Sequence, residues 1–116
     1  MARFRKFEEI QAWQKAREVT LRIYRVTSSR DFVKDFGLKD QIRRASVSIM
    51  ANIAEGHGRR SNTEFANFLN IATGSVDEVQ SHLYVAHDLA YLSDNDFDEI
   101  YQQLTEISRM THWLST

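Results

Sequence analysis

No proline interrupts this chain of 116 residues, and glycine occurs only four times. Proline breaks helices because it lacks an N–H and clashes with the preceding turn, and glycine weakens them because ordering its backbone costs more entropy. A chain so poor in both residues has few points at which a helix must stop. The composition therefore predicts an all-α fold.

Apolar residues recur in four blocks with the three- and four-residue steps of amphipathic helices. The blocks predict helices over about 7–28, 38–55, 61–90 and from 93 onward. Ser61 and Ser93 each offer a hydroxyl that can cap the free amides at a helix start, and Glu64 completes a capping box with Ser61.

Four amphipathic helices with short connections pack most simply as an antiparallel up-down-up-down bundle. A chain of this length forms one domain, 1–116, with a conventional core. The second and third helices also carry apolar residues outside their core stripes, namely Val47, Met50, Ile71 and Leu89. This excess predicts an oligomer interface.

The connection between the second and third helices reads AEGHGRRS. Gly56 and Gly58 are predicted to end the second helix in a left-handed cap, which leaves Arg59 and Arg60 in an exposed corner. A phosphate-cradling loop is the alternative, but here the Gly-x-Gly follows a helix and no Gly-Lys-Ser/Thr is present. Glu55 lies where the helix dipole disfavours a carboxylate, so we expect it to accept hydrogen bonds from the loop or from either arginine.

Gly74 and Ser75 interrupt the middle of the third helix. Glycine inside a helix costs about 1 kcal/mol relative to alanine. We therefore expect a neighbouring helix to approach closely at Gly74, which would offset this cost.

No arrangement of side chains points to catalysis. The four histidines are dispersed, and the chain lacks the paired Glu-x-x-His spacing that a di-metal site in a bundle needs. Without cysteine there are no disulfides or thiolate metal sites. We expect a non-enzymatic protein with no metal, cofactor or small-molecule substrate. The lack of an apolar N-terminal run further predicts a cytoplasmic protein with no membrane partner.

Charge is distributed unevenly along the chain. Residues 1–60 carry 14 Lys/Arg against 7 Asp/Glu, whereas residues 61–116 carry 1 against 9. Such asymmetry indicates either a polyanion partner for the basic half, or two halves that meet each other within one chain or between subunits.

An antiparallel bundle brings the start of the first helix and the turn between the second and third helices to one end. Phosphate contact needs clustered positive charge that faces solvent. We therefore predict contacts at this end and from the arginines of the second helix, with a merely solvated charged surface as the alternative. The candidate residues are Arg3, Arg5, Lys6, Arg43, Arg44, Arg59 and Arg60.

Four parts of the chain carry a family resemblance: AWQKA at 12–16, Tyr24, GLKDQIRRASVSIMANIAEGHGR at 37–59 and FLNIATGSVDEV at 68–79. They resemble the four-helix bundle proteins encoded in intervening sequences of bacterial 23S ribosomal RNA genes. The resemblance covers nearly the whole chain. The residues of its motif, to which we assign a structural role, are Asn52, Glu55, Gly56, Gly74 and Ser75.

The resemblance implies a ring-like homopentamer. It also implies binding to RNA or to a nucleoprotein, because relatives that accompany diversity-generating reverse transcriptases bind nucleic acid and the polymerase through a basic surface. A protein-only scaffold is the alternative. In a ring, the basic side of one copy can meet the acidic side of the next, so the charge asymmetry and a pI near 6.4 favour assembly at least as much as RNA binding.

Overall fold

The computed structural model of this chain describes residues 4–116. Within that range it contains four α helices, two short 3-10 turns at Phe7–Glu9 and Phe32–Lys34, and no β strand. The helices are α1 (Gln11–Val26), α2 (Phe36–Gly58), α3 (Asn62–Asp88) and α4 (Asp94–Ser115). The predicted all-α fold is confirmed.

The helices form a closed antiparallel bundle. α1 packs against α2, α2 against α3, and α3 against α4, and α4 returns to contact α1. Ser48 contacts Ser75, whereas Gly56, further along α2, lies against Phe68, which is earlier in α3. This reversal fixes the antiparallel direction and confirms the predicted topology. As a result, α1 and α2 form one side of the bundle, and α3 and α4 form the other.

Each helix contributes a row of fully buried apolar side chains to one core. Removing each large apolar side chain from water stabilises the fold by about 1.5–3 kcal/mol. The largest of these side chains on the four helices are Ile23, Ile42, Ile49, Ile53, Leu69, Leu83, Ile100, Leu104 and Ile107.

The first helix is shorter than its apolar periodicity predicts. Ile10 adopts an extended conformation with φ −78° and ψ 118°, which separates the first 3-10 turn from α1. Its side chain is nevertheless fully buried, and Phe7 packs edge-on against Trp13 at 5.0 Å between ring centroids. Periodicity does not detect this break because the residues on both sides of it face the same core.

Side-chain caps set the starts of the other three helices. As predicted, the hydroxyl of Ser61 accepts a hydrogen bond from the amide three residues later at 3.3 Å, and the hydroxyl of Ser93 does the same at 3.0 Å. Asp35 caps α2 by accepting a hydrogen bond from the Leu38 amide at 3.2 Å. α2 therefore begins at Phe36, slightly before the predicted start.

The prediction that two glycines cap α2 is wrong. Gly56 and Gly58 are both helical, and neither has a positive φ. The left-handed residue is Arg60, with φ 62°. Gly56 is buried against α3, where a Cβ would lie 2.6 Å from the Cβ of Phe68. Packing, rather than backbone conformation, therefore excludes a side chain at Gly56.

The close approach predicted at Gly74 is also wrong for this chain. A Cβ at Gly74 would meet no heavy atom within 4 Å, and the residue is exposed. Among the apolar residues predicted outside the core, Val47, Ile71 and Leu89 are exposed, but Met50 packs against the core. Three of these four side chains are thus available to a partner.

Ion pairs join α1 to α4 on the remaining side of the bundle. Arg22 donates to Glu99 at 2.5 Å and to Asp96 at 3.3 Å, and Lys15 pairs with Glu106 at 3.1 Å. The hydrogen bond from Arg22 is the main reason that the pKa of Glu99 is lowered. The contact between the first and last helices is therefore partly electrostatic.

Candidate nucleic-acid interface

The predicted phosphate-binding residues fall at the two ends of α2. Arg3 lies outside the described residues. One group is Arg43 and Arg44, and the other is Arg5, Lys6, Arg59 and Arg60. The sixteen residue steps from Arg43 to Arg59 span about 24 Å at the helical rise of 1.5 Å per residue. The bundle therefore brings four of the six described residues together and leaves two apart.

Arg43 is engaged within the chain. Its Nε donates to Thr27 Oγ1 at 2.8 Å, and its Nη2 donates to Ser28 Oγ at 3.1 Å and to the Tyr24 carbonyl at 3.3 Å. The guanidinium also lies over the Tyr24 ring, 4.4 Å from its centroid. These bonds tie the early part of α2 to the C-terminal end of α1, where helix carbonyls lack partners in their own helix.

Arg44 points to solvent. Its side chain is 79% exposed and pairs with Asp40, one turn earlier, at 2.9 Å. Exposed pairs at this spacing stabilise a helix by only about 0.3–0.5 kcal/mol. Arg44 can therefore leave Asp40 for another anion at little cost.

The second group forms what we call the basic end, defined by Arg5, Lys6, His57, Arg59 and Arg60. His57 Nε2 lies 2.9 Å from the carbonyl oxygen of Phe4. A carbonyl only accepts hydrogen bonds, so Nε2 carries the proton in this contact. The bond holds the segment before α1 against the last turn of α2, as the sequence predicts for an antiparallel bundle.

Arg59 is shared between two carboxylates. It donates to Glu55 at 2.8 Å and lies 3.8 Å from Glu64, and its guanidinium is 5.1 Å from the centroid of the Phe68 ring. The hydrogen bond to Glu55 is the largest cause of the raised pKa of Arg59. The predicted role of Glu55 as an acceptor for this arginine is confirmed.

Arg60 differs from its neighbour. Its side chain is exposed and makes no hydrogen bond or ion pair with any residue in 4–116. Its left-handed backbone conformation costs a residue with a side chain about 1–2 kcal/mol. The turn thus leaves the Arg60 guanidinium exposed and, among the described residues, without an ion pair.

A cavity of about 450 Å³ opens beside Arg60, and we call it the end cavity. The residues that define it are Phe4, His57, Arg60, Ser61, Phe65 and Trp113. Among the described residues that line it there is no aspartate or glutamate. The sequence offers no signal for this cavity, because Trp113 comes from the far end of the chain.

Asn52 and Ser75 have structural roles, as the family motif implies. Asn52 Nδ2 donates to the backbone carbonyl of Ser48 at 2.8 Å and to its hydroxyl at 2.9 Å. The Ser48 hydroxyl in turn lies 2.9 Å from the hydroxyl of Ser75. This chain of bonds links α2 to α3. Ser48 was not predicted, although its i,i+4 spacing from Asn52 is a usable signal.

Exposed apolar and cationic side chains share the side of the bundle formed by α1 and α2. Phe36 is 72% exposed, and the Lys39 ammonium lies 4.9 Å from the centroid of its ring. We call this side the α1–α2 surface. Its exposed residues include Arg17, Leu21, Tyr24, Arg25, Phe36, Arg44 and Val47.

The opposite side combines aromatic rings with carboxylates, and we call it the α3–α4 surface. Tyr84 lies 5.1 Å from Phe97 and 5.7 Å from Tyr101, measured between ring centroids. The hydrogen bond with Tyr84 is the main cause of the raised pKa of Tyr101. The exposed carboxylates of these two helices include Asp77, Glu78, Asp88, Asp94, Asp98 and Glu106.

Two of the four histidines each contact a single carboxylate. His87 lies 2.6 Å from Asp94, and His82 lies 3.4 Å from Glu78. Within residues 4–116, no group of three or more potential ligands is placed to hold a metal ion. Over the same residues, no helix combines the length and the hydropathy needed to cross a bilayer.

Comparisons with known proteins identify the family of this bundle. The family model described as 23S rRNA-intervening sequence protein matches residues 8–112. A solved protein of unknown function from the S23 ribosomal protein family of Bacteroides thetaiotaomicron VPI-5482 is similar, with a TM-score of 0.82 and 28% sequence identity. The similarity covers 90% of this chain and 94% of that one. The comparison with curated proteins found no match. Since the family model spans most of its length, the chain belongs to the 23S rRNA-intervening sequence protein family.

Proposed function

We propose that this chain is a non-enzymatic, cytoplasmic protein that assembles into a homopentamer and binds RNA, alone or within a nucleoprotein, through the basic end. The observation that carries the RNA proposal is the basic end itself: Arg60 lines a cavity that has no aspartate or glutamate among its described lining residues, and Arg5, Lys6 and Arg59 belong to the same end of the bundle. Cationic side chains that face solvent bind phosphates and release counterions from RNA.

Arg43 and Arg44 take a smaller part in this proposal. Arg43 already donates three hydrogen bonds to partners at the end of α1. Arg44 is free to exchange Asp40 for a phosphate, about 24 Å from the basic end. An RNA long enough to follow α2 would reach both places, with most of the electrostatic attraction at the basic end.

Self-assembly is supported by the opposite charge balance of the two sides. Both surfaces expose apolar side chains, but cations outnumber carboxylates on the α1–α2 surface, and carboxylates outnumber cations on the α3–α4 surface. A contact between different surfaces of two copies is heterologous, and it closes into a ring when the rotation between subunits allows it. Such a contact would use charge complementarity to set the orientation of neighbouring copies.

Fluorescence anisotropy with labelled RNA across a salt series tests the RNA proposal. We expect binding that weakens steeply with salt, and we expect replacing both Arg59 and Arg60 by alanine to lower both the affinity and the slope. The variant Arg30→Ala is the matched control, because it removes an exposed cation from the opposite end of the bundle. If each removed charge lowers the affinity equally in the two variants, RNA binding depends on the overall charge of the protein rather than on the basic end.

Light scattering coupled to size-exclusion chromatography tests the assembly. We expect the mass of five chains, and we expect assembly to fall when Asp77 and Asp98 are both replaced by lysine. A monomer over the micromolar range would reject the homopentamer.

The second candidate function is a protein-only scaffold, favoured by the exposed apolar side chains of Val47, Ile71 and Leu89. Capture of a partner from cells would then resist nuclease treatment and fail when these three residues are replaced by serine. Capture that is lost with nuclease would favour the RNA proposal instead.

A further inference from the structure

We infer that the end cavity binds one unpaired nucleotide of an RNA strand, with the base against Trp113 and a phosphate at Arg60. The inference rests on the RNA binding proposed above and adds the form of RNA that the protein selects. It follows from the volume of the cavity, the aromatic side chains in its wall and the charge at its rim.

The cavity has the size and walls of a ligand site. Its volume of about 450 Å³ lies within the usual range of small-ligand clefts, about 300–1,000 Å³. Three aromatic side chains, Phe4, Phe65 and Trp113, line it. Phe65 is held edge-on by the His57 ring, with 6.5 Å between centroids, and His57 is fixed by its bond to the Phe4 carbonyl. Two of the three rings are therefore part of a connected wall.

Trp113 is the aromatic side chain of the cavity on which we expect a base to stack. Its side chain is 66% exposed, although it borders the cavity. A large indole surface in contact with water can gain from stacking on a base, and such stacking is worth about 1–3 kcal/mol per base in proteins that bind single strands.

The charge of the cavity fits a phosphodiester. The chain has 16 acidic residues, yet none of them lines the described part of this cavity, whereas Arg60 does. The Arg60 guanidinium forms no ion pair with a carboxylate of residues 4–116, in contrast to Arg59, which is paired with Glu55 and Glu64. Ser61 adds a hydroxyl for the edge of a base or for a sugar.

Geometry makes the site selective for unpaired nucleotides. In an RNA duplex the bases are stacked inside the helix, and the deep major groove is closed to side chains. A base reaches a concave site in a protein only when it is unstacked, as in loops, bulges and single strands. The end cavity thus favours single strands over duplex, whereas the surface cations attract both.

A neighbouring cavity supplies an internal comparison. It has a volume of about 570 Å³, shares Phe4 and Trp113 with the end cavity, and is lined by Ile10, Met110 and Arg109 among others. Its lining also includes Glu9, so its arginine is accompanied by a carboxylate. Arg60→Ala and Arg109→Ala therefore form a matched pair, since each removes one exposed arginine beside Trp113.

Titration with three ligands tests the inference: a fluorescent oligoadenylate strand, a hairpin duplex with the same label, and AMP. We expect oligoadenylate to quench the fluorescence of Trp113, with the signal lost in Trp113→Phe. We expect Arg60→Ala and Trp113→Ala each to weaken oligoadenylate binding about tenfold, equivalent to about 1.4 kcal/mol, and to change duplex binding much less. Arg109→Ala should leave both affinities unchanged.

The outcomes separate this inference from the RNA proposal. Equal binding of strand and duplex, unaffected by Trp113→Ala, would reject the nucleotide site and leave RNA binding in place. No binding of either RNA at low salt would reject both. AMP that binds as tightly as the strand would overturn the assignment to RNA and give the cavity to a free nucleotide. If Trp113→Ala does not fold, as judged by circular dichroism, Arg60→Ala and Trp113→Phe still decide the result.

Discussion

The arginines at the two ends of α2 differ in whether their guanidinium groups are hydrogen-bonded within the chain. Near its start, Arg43 donates three hydrogen bonds and lies over the Tyr24 ring. Just past its end, Arg60 is exposed, and its side chain contacts no acceptor within residues 4–116. The same residue type thus stabilises the fold in one place and is available to a ligand in the other. The number of cations in a sequence does not reveal how much of their charge remains available.

The positions of the two arginines relative to α2 explain why one is hydrogen-bonded and the other is exposed. Arg43 follows the buried Ile42, and its side chain reaches the Tyr24 carbonyl near the C-terminal end of α1. A cation at this position also interacts favourably with the helix dipole. Arg60 lies beyond the last turn of α2, in a left-handed conformation that turns the chain towards α3.

The largest effect that we expect comes from Gly56→Ala, which tests how the basic end is built. The added Cβ would lie 2.6 Å from the Cβ of Phe68, so α2 and α3 must separate. Overpacking of this kind costs about 3 kcal/mol, measured as the free energy of unfolding in urea. Gly58→Ala is the control, because a Cβ there meets nothing within 4 Å and alanine favours a helix. Equal destabilisation by the two substitutions would contradict the close approach at Gly56.

A second prediction concerns the engaged arginine. Arg43→Met keeps most of the aliphatic stem and removes the guanidinium, so we expect the free energy of unfolding to fall by about 2 kcal/mol as its hydrogen bonds to α1 are lost. Arg44→Met removes an exposed pair and should change stability by no more than about 0.5 kcal/mol. Urea denaturation of both variants measures the difference. An Arg43 variant as stable as the Arg44 variant would show that the contacts with Thr27 and Ser28 contribute nothing.

The sequence predicted the elements that depend on periodicity and local chemistry. The four apolar ladders, the Ser61 and Ser93 caps and the antiparallel order all follow from spacing and from short connections. Spacing could not locate the break at Ile10, because that side chain enters the same core as its neighbours.

Glycine was the least predictable residue. The sequence pattern at the end of α2 fits a glycine cap, but Gly56 instead allows α2 to pack closely against Phe68. At Gly74 a close contact with a neighbouring helix was predicted, but the space beside it is open. Whether a helical glycine faces a neighbour depends on the rotation of two helices about their axes, which a single sequence does not specify. The end cavity was unpredictable for a related reason, since it joins residues from both halves of the chain.

A third prediction compares two similar ion pairs at the two ends of α2. Glu55→Gln releases Arg59, so we expect RNA affinity at low salt to rise about twofold, in line with the modest strength of exposed pairs. Asp40→Asn releases Arg44 in the same i,i+4 arrangement and should change affinity less. Anisotropy at two salt concentrations measures both, and the gain should shrink at the higher salt. A larger gain for Asp40→Asn would move the RNA contact to the start of α2.

The smallest effect concerns Arg22, a second arginine whose charge is used inside the fold. Its hydrogen bond keeps the pKa of Glu99 below the usual value of 4.5. A carboxyl whose pKa is lower in the folded state stabilises the fold above its unfolded pKa, and this contribution is lost as the pH falls through the folded value. The midpoint of thermal unfolding should therefore drop more between pH 5 and pH 3 for the natural chain than for Glu99→Gln. Circular dichroism measures both curves, and the difference should be small because Glu99 is exposed and screened by solvent. If the unfolding midpoints of the two chains fall equally with pH, Arg22 is held by Asp96 and Gln103 alone. In that case Arg22 stabilises the fold less than Arg43 does.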